Sequence, residues 1–292
     1  MSQQHSRLQR DVLHALSNLV LGPPPSFASA YEFLDTLKKD DRREFCELAC
    51  AHHVLLRGSD ALSAFASRAR LHVPEWLKKS AQIEAQEIKK SLPVLAEVCR
   101  ALEQAGFPVV VMKSLDHWPD MGSDLDVFTT GSAKEICSLM KRDFSAQINP
   151  QSWSEKLACK FNFRIPGLKR LVEIHVGRLG QTGQQTRIGR TLLQRRIVKR
   201  FGAFEFMVPS PQDQLLLGVL DRLYRHHFLR ICDVADTAEL IKNSRIDFEH
   251  LKQESKQAGI RRGLASYLSV IDEYHAHYQG GRLPIPANIK KG

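Results

Sequence analysis

The sequence predicts an α+β fold, with a strand-rich centre flanked by an N-terminal and a C-terminal helical region. Three observations carry this. Apolar residues recur at three- and four-residue spacings up to about Ala105, the period shortens to two in the segments between Phe107 and Val176, and helical spacing returns from Pro211. At 292 residues the chain is long enough for two or three compact units. Its 43% hydrophobic and 25% charged residues are those of a folded globular protein, not of a disordered or membrane-embedded one. The expected organisation is a helical region over 1–105, a strand-rich domain over 106–209, a helical region over 210–278 and a tail over 279–292.

The first helix is expected over 7–21, closed by Gly22 and the Pro23-Pro24-Pro25 run that cannot continue it. Helices over 31–39, 41–57 and 60–70 follow. The longest spans 74–105, where Ile83, Ile88, Leu92, Leu95, Cys99 and Leu102 fall along one stripe. Pro93 lacks a backbone donor and is expected to kink it; Gly106 and Pro108 stop it. The valine-rich run 107–112 reads as a buried strand and 124–129 as a second. A helix is expected over 132–142. Segments 160–165 and 171–176 alternate polar and apolar residues across the Pro166–Lys169 turn and read as a hairpin. Helices over 213–224 and 233–242 and two weaker ones complete the chain.

The six cysteines form neither a paired Cys-x-x-Cys motif nor a disulfide framework, so reduced thiols are expected, with Cys46 and Cys50 as two small buried residues on one helix face. His14, Ser17 and Asn18 interrupt any signal-like apolar core near the start. No apolar run approaches the roughly 20 residues that cross a bilayer. A cytoplasmic location without membrane association is the expectation.

The chemistry concentrates in two stretches, Val109 to Ser114 and Gly122 to Phe128. On a strand, Asp124 and Asp126 share one face while Leu125 and Val127 take the other. Adjacent carboxylates raise each other's pKa unless a cation neutralises them, and oxygen ligands of this kind suit Mg²⁺ or Mn²⁺. A two-metal clamp needs a third acid. Glu173 is the natural candidate, standing between Val172 and Ile174 on the strand face shared by Leu171 and His175. Its other reading is a cross-strand partner for Lys160 or Arg164. Lys113 and Ser114 lie where the first strand ends and a short helix is expected to begin, an arrangement that gathers a hydroxyl, backbone N–H groups and a helix dipole around phosphate. Lys160 and Arg164 would reach triphosphate oxygens from the neighbouring strand, Arg164 with a bidentate fork. His175 would orient the metal site or bind departing pyrophosphate.

Charge sharpens this picture. Lys plus Arg number 42 and Asp plus Glu 32, a net charge of +10. Between Lys160 and Arg200 stand eleven of the cations against the single acid Glu173, so the rest of the chain is neutral. A focused positive patch points to an anionic ligand. Its first half faces the predicted acidic site; Arg187, Arg190, Arg195, Arg196, Lys199 and Arg200 would run along an RNA backbone, or form a solvated helix face. His226, His227 and Asp233 on the C-terminal helices offer a general base or plain helix packing. Trp118 would stack on a base or cover the core.

The order of apolar strand, Ser-containing turn, Asp-Leu-Asp strand and later acidic strand resembles the nucleotidyltransferase superfamily with the DNA polymerase β-type palm. More narrowly, the chain is similar to the bacterial uncharacterised nucleotidyltransferase family with helical N- and C-terminal regions. The resemblance spans roughly residues 45–240 and rests on Val109 to Ser114, Asp124 to Asp126, Glu173-Ile174-His175, and Ser210-Pro211-Gln212-Asp213 through His226, His227 and Asp233. Ser114 stands where that family has Gly, and Glu173 where it has Asp. The resemblance implies a small mixed β-sheet palm and metal-dependent transfer of a nucleoside monophosphate from an NTP to an unidentified acceptor, whether small molecule, RNA or protein, with pyrophosphate released. It implies Asp124, Asp126 and Glu173 as catalytic metal ligands, and Lys113, Ser114, Ser123, Lys160, Arg164 and His175 as nucleotide-binding residues. The alternative is a catalytically degenerate nucleotide- or RNA-binding protein on the same fold. Nucleotide-sugar transferases and haloacid-dehalogenase-like phosphatases also carry Asp-x-Asp, but the helices upstream and the Gly122-Ser123 pair argue against both.

Overall fold

A computed structural model describes residues 3–291; residues 1, 2 and 292, at the ends of the first predicted region and of the tail, lie outside it. In chain order the elements are α1 (Gln3–Leu21), a 3-10 turn (Pro24–Ser26), α2 (Phe27–Thr36), α3 (Lys39–Ala51), α4 (Leu55–Ala69), α5 (Glu75–Gln104), β1 (Val109–Met112), β2 (Leu125–Thr129), α6 (Ala133–Phe144), β3 (Gln147–Ile148), α7 (Trp153–Leu157), β4 (Lys160–Arg164), β5 (Val172–Val176) and α8 (Thr186–Arg195). They continue with β6 (Ile197–Phe201), β7 (Phe204–Val208), α9 (Pro211–Asp221), a π-helical turn (Arg222–His226), α10 (Ile231–Asn243), α11 (Phe248–Gln257), α12 (Arg261–Gln279) and α13 (Ala287–Lys290). The α+β class stands. The helix expected over 41–57 is divided between α3 and α4, because His53 takes a left-handed φ of +50° and ends the first of them. α5 runs 30 residues through Pro93 without interruption. Among the described residues no helix is long and apolar enough to cross a membrane.

The chain forms two compact units. One comprises the residues up to Glu87 with Leu229–Lys242 and Val270–Pro284. Val12, Leu16, Leu34, Phe45 and Leu62 build its core, and Phe45 meets Trp76 edge-on at 5.7 Å. Phe45 and Ala49 are the inward residues of α3; Cys46 is only half-buried and Cys50 is exposed, against the expectation that both are buried. Arg57 and Asp236 form an ion pair at 2.6 Å. Asp233 stands in the first turn of α10, where its carboxylate accepts the Arg230 backbone N–H at 2.7 Å.

The other unit comprises Ile88–Phe228, Asn243–Ser269 and the residues from Ile285. Its centre is a mixed sheet in the order β1-β2-β5-β4-β3. β2 and β5 run parallel and the other neighbours antiparallel, including the predicted β4–β5 hairpin. β2 and β5 are buried throughout, and Val127, Ile174 and Phe163 are wholly removed from water. α8 lies close enough to this sheet that a Cβ on Gly189 would sit 2.5 Å from the Phe128 ring, so only glycine fits there. β6 and β7 form a separate two-stranded sheet.

A half-buried ion pair fastens α8 to α9. Ser210 caps α9, Pro211 takes its first turn, and the Ser210 hydroxyl donates to Asp213 at 2.6 Å. Arg195 grips the same carboxylate with two N–H groups at 2.5 and 3.2 Å, and reaches Glu254 of α11 at 3.2 Å. Asp213 is fully buried. Replacing it with Ala is expected to cost roughly 2 kcal/mol, less than for a fully buried pair because Arg195 keeps partial contact with water. Urea denaturation checks this; an unchanged midpoint would show the pair to be energetically idle.

Candidate active site

The parallel register sets Asp126 of β2 directly opposite Glu173 of β5. Met112 and Asn162 extend that row across β1 and β4, and the next row holds Phe128, His175 and Lys160. Residues two apart on a strand share a face, so these side chains stand on one side of the sheet. Like charges facing each other on neighbouring strands repel, and the structure answers with cations. Lys160 Nζ donates to Glu173 Oε2 at 2.7 Å and His175 Nε2 to Glu173 Oε1 at 2.7 Å. Lys113 Nζ lies 2.8 Å from Asp126 Oδ1 and 3.5 Å from Asp221 Oδ1. Burial by itself would raise the Glu173 carboxyl, but the His175 hydrogen bond and the charges of His175, Lys113 and Lys160 hold it far below the usual carboxylate range. Asp124 departs the other way: burial, then Asp126 and Glu173, push its carboxyl up.

Lys113 follows the last residue of β1 with a left-handed φ of +54°, a conformation that costs a non-glycine residue about 1 kcal/mol. The turn after it explains the strain. Ser114 is fully buried, accepts the Asp126 backbone N–H on its hydroxyl at 2.6 Å and donates to the Asp124 carbonyl at 2.9 Å. Gly122 N–H donates to the Ser114 carbonyl at 3.0 Å. The short helix expected from Lys113 onward does not form; residues 114–119 are turn, so no helix dipole is aimed there. The Ser114 hydroxyl instead ties the loop to the start of β2.

A cavity of about 280 Å³ opens beside these rows. Lys113, Lys160, His175, Glu155 and Asp221 line it together with Arg225, while Met112, Leu179, Leu217 and Leu220 give it an apolar wall. Glu155 reaches the cavity because α7 is fixed by a capping box, in which Glu155 accepts the Ser152 N–H at 2.7 Å. Its other oxygen takes Asn162 at 2.7 Å and lies 3.7 Å from Lys160. On the opposite side α9 ends at Asp221 and passes into the π-helical turn. Asp221 there meets Arg222 at 2.9 Å, Arg225 at 3.4 Å and His226 at 3.6 Å. Burial opposes ionisation of Asp221, yet Lys113, Arg222, Arg225 and His226 hold its carboxyl well below the ordinary value.

The structure thus brings Asp126, Glu173, His175, Lys113 and Lys160 together. Donor atoms of Asp126, Glu173 and His175 lie within 4.8 Å of one another; Asp124, just before β2 and half-buried, stands outside that group. Ser123 and Arg164 are exposed and do not line the cavity. Trp118 packs edge-on against Phe201 at 5.7 Å. The basic run is not a continuous solvent-facing stripe: Arg195 is held by Asp213 and Glu254, and Arg196 by Glu103 at 3.0 Å and the Val109 carbonyl at 2.8 Å. Arg190, Lys199 and Arg200 remain exposed. His226 belongs to the π-helical turn and His227 follows it at φ +59°, so neither lies on a regular α-helix as expected.

Glu155, Asp221 and Arg225 are the site residues that sequence reasoning missed. The available signals were the Ser152-x-x-Glu155 capping-box spacing and the crowding of Asp221, Arg222, Arg225 and His226 behind the apolar run Leu215–Leu220.

No sequence among curated proteins matches. In structure the chain is similar to an antigenic nucleotidyltransferase-like protein from Paracoccidioides brasiliensis, with 16% identity over 68% of this chain and 92% of that one and a TM-score of 0.43. It is also similar to a tRNA-processing enzyme, with 13% identity, 70% and 58% coverage and a TM-score of 0.28. The Thermotoga maritima CCA-adding enzyme complexed with tRNA gives 10% identity, 70% coverage of both chains and a TM-score of 0.27. The profile of a family described as uncharacterised nucleotidyltransferase matches residues 38–275, most of the chain including both the acid pair and Glu173. The chain belongs to that uncharacterised nucleotidyltransferase family.

Proposed function

We propose that this nucleotidyltransferase moves a nucleoside monophosphate from an NTP to an acceptor with the help of Mg²⁺ or Mn²⁺. The observation that carries the reading is the register of Asp126 against Glu173 beside a cavity walled by Lys113, Lys160 and Arg225. The donor set fits a divalent cation: clustered carboxylate oxygens on two rigid central strands, with His175 Nε2 2.7 Å from Glu173 Oε1 and 3.8 Å from Asp126 Oδ1. Asp126 and Glu173, joined by Asp124, would hold it. When bound, such a cation neutralises charge on the transferring phosphate and makes an acceptor hydroxyl more acidic.

The protein's own groups then position the reactants. Lys113, Lys160 and Arg225 offer N–H donors to triphosphate oxygens, and the apolar wall of Met112, Leu179, Leu217 and Leu220 receives the uncharged part of the nucleotide. His175 orients Glu173 through its 2.7 Å hydrogen bond. The acceptor oxygen bonds to the α-phosphorus, the bond to the α–β bridging oxygen breaks, pyrophosphate leaves, and the acceptor proton passes to a site carboxylate. Catalysis of this kind is positioning and charge neutralisation. The test is pyrophosphate release from each common NTP in the presence of hydroxyl-bearing small molecules, RNA or protein acceptors, with Mg²⁺ or with chelator. Release that requires Mg²⁺ is expected; release unaffected by chelator, or none with any NTP and acceptor class, would overturn the reading.

A further inference from the structure

The protein already neutralises all but one charge of its acidic site. Asp124, Asp126, Glu155, Glu173 and Asp221 face Lys113, Lys160, Arg222 and Arg225, four permanent cations for five carboxylates. A divalent cation entering this site brings surplus charge unless a resident cation yields. The two lysines are built to yield. Lys113 sits on Asp126 at 2.8 Å, with the Asp221 carboxylate 3.5 Å from the same ammonium. Lys160 sits on Glu173 at 2.7 Å, with Glu155 at 3.7 Å. Each ammonium therefore touches one acid of the central strands and one acid of a flanking helix, α9 or α7. A shift of about 1 Å, small for a lysine side chain, exchanges one partner for the other. Neither lysine would lose its neutralising partner.

We infer that Lys113 and Lys160 are exchangeable counter-ions, resting on Asp126 and Glu173 in the metal-free protein and handed to Asp221 and Glu155 when a divalent cation takes the strand carboxylates. This deepens the proposed function, on which it rests, by giving both lysines a task before any nucleotide arrives. Arg225 also spans a strand acid and a helix acid, but it already rests on the helix one, 3.4 Å from Asp221 against 3.9 Å from Glu173, and so occupies no strand carboxylate that a cation must free.

The test is Mn²⁺ binding to the full chain without nucleotide, read by electron paramagnetic resonance of free Mn²⁺ and by calorimetry. Lys113→Met and Lys160→Met should each bind Mn²⁺ about tenfold more tightly than the wild type, since the competing ammonium is gone. Arg225→Met, which removes an equal charge near Glu173 but no competitor, should tighten binding by less than about threefold. Circular dichroism checks that each variant folds, and either lysine variant alone suffices if the other does not. Equal affinities in the wild type and the lysine variants, or an effect of Arg225→Met as large as theirs, would overturn the inference alone. Mn²⁺ binding by none of these proteins would overturn it together with the metal-assisted reading of the site.

Discussion

Asp126→Asn is expected to lower pyrophosphate release by about 10³-fold, equivalent to about 4 kcal/mol of barrier. The substitution conserves shape and removes one charge from the centre of the site. The fold should tolerate it. Ser114 holds the backbone N–H of residue 126 whichever side chain is present, and Lys113 keeps the Asp221 carboxylate within 3.5 Å. The loss should fall on turnover far more than on nucleotide affinity, because the cations proposed to grip the triphosphate are untouched. Single-turnover measurements separate the two. A variant that releases pyrophosphate at the wild-type rate would remove Asp126 from the chemistry and with it the proposed function.

Glu173→Gln should damage stability as well as activity. Glu173 accepts from Lys160 and His175 at 2.7 Å each and is almost completely buried. Glutamine leaves Lys160 with Glu155 alone, 3.7 Å away, and the loss is expected to be about 3 kcal/mol near neutral pH. The pH dependence gives a sharper signature. The folded protein holds this carboxyl below its unfolded value, so its stabilising charge is fully present above the unfolded value near pH 4.3 and is lost as pH falls through that value toward the folded one. Asp221, also depressed, follows the same sign. The wild type should therefore lose stability progressively below about pH 5, and the Gln variant should start lower but decline less steeply. Urea midpoints between pH 3 and 7 read this directly; parallel curves would mean that Glu173 is not held in its charged form by its neighbours.

Much of the fold was legible because burial leaves a period in the sequence. The Val109–Met112 run, the Asp-Leu-Asp strand and the alternating hairpin of β4 and β5 appear where their patterns place them. What escaped had no period to read. Four consecutive residues of β6, Ile197 to Arg200, are exposed, so that strand looked like the continuation of a basic run. α7 is five residues long and stands on its capping box, not on an apolar stripe. β3 has two residues. For the site, Asp126 and Glu173 could be proposed as partners from their residue types, but the parallel register that aligns them is a long-range pairing that local spacing cannot specify. Asp221 and Arg225 enter from a helix that reads as ordinary packing, since what makes them part of the cavity is the place where α9 gives way to a wider turn.

The β2–β5 register also bears on how the chain reaches its native state. Bringing Asp126 beside Glu173 closes a loop of about 47 residues, an entropic cost of about 3 kcal/mol on chain-statistics grounds. Two carboxylates that repel cannot help to close it. The attraction must come from the apolar neighbours in the same ladder, Leu125 and Val127 against Val172 and Ile174, and from lysines that arrive with the strands next to them. Lys160 travels with β5 as part of a local hairpin, and Lys113 is joined to β2 by the loop that connects the antiparallel strands β1 and β2. Each acid thus carries its own cation into the encounter, and two locally neutralised hairpins, β1–β2 and β4–β5, can dock along their free edges where two bare acidic strands would not.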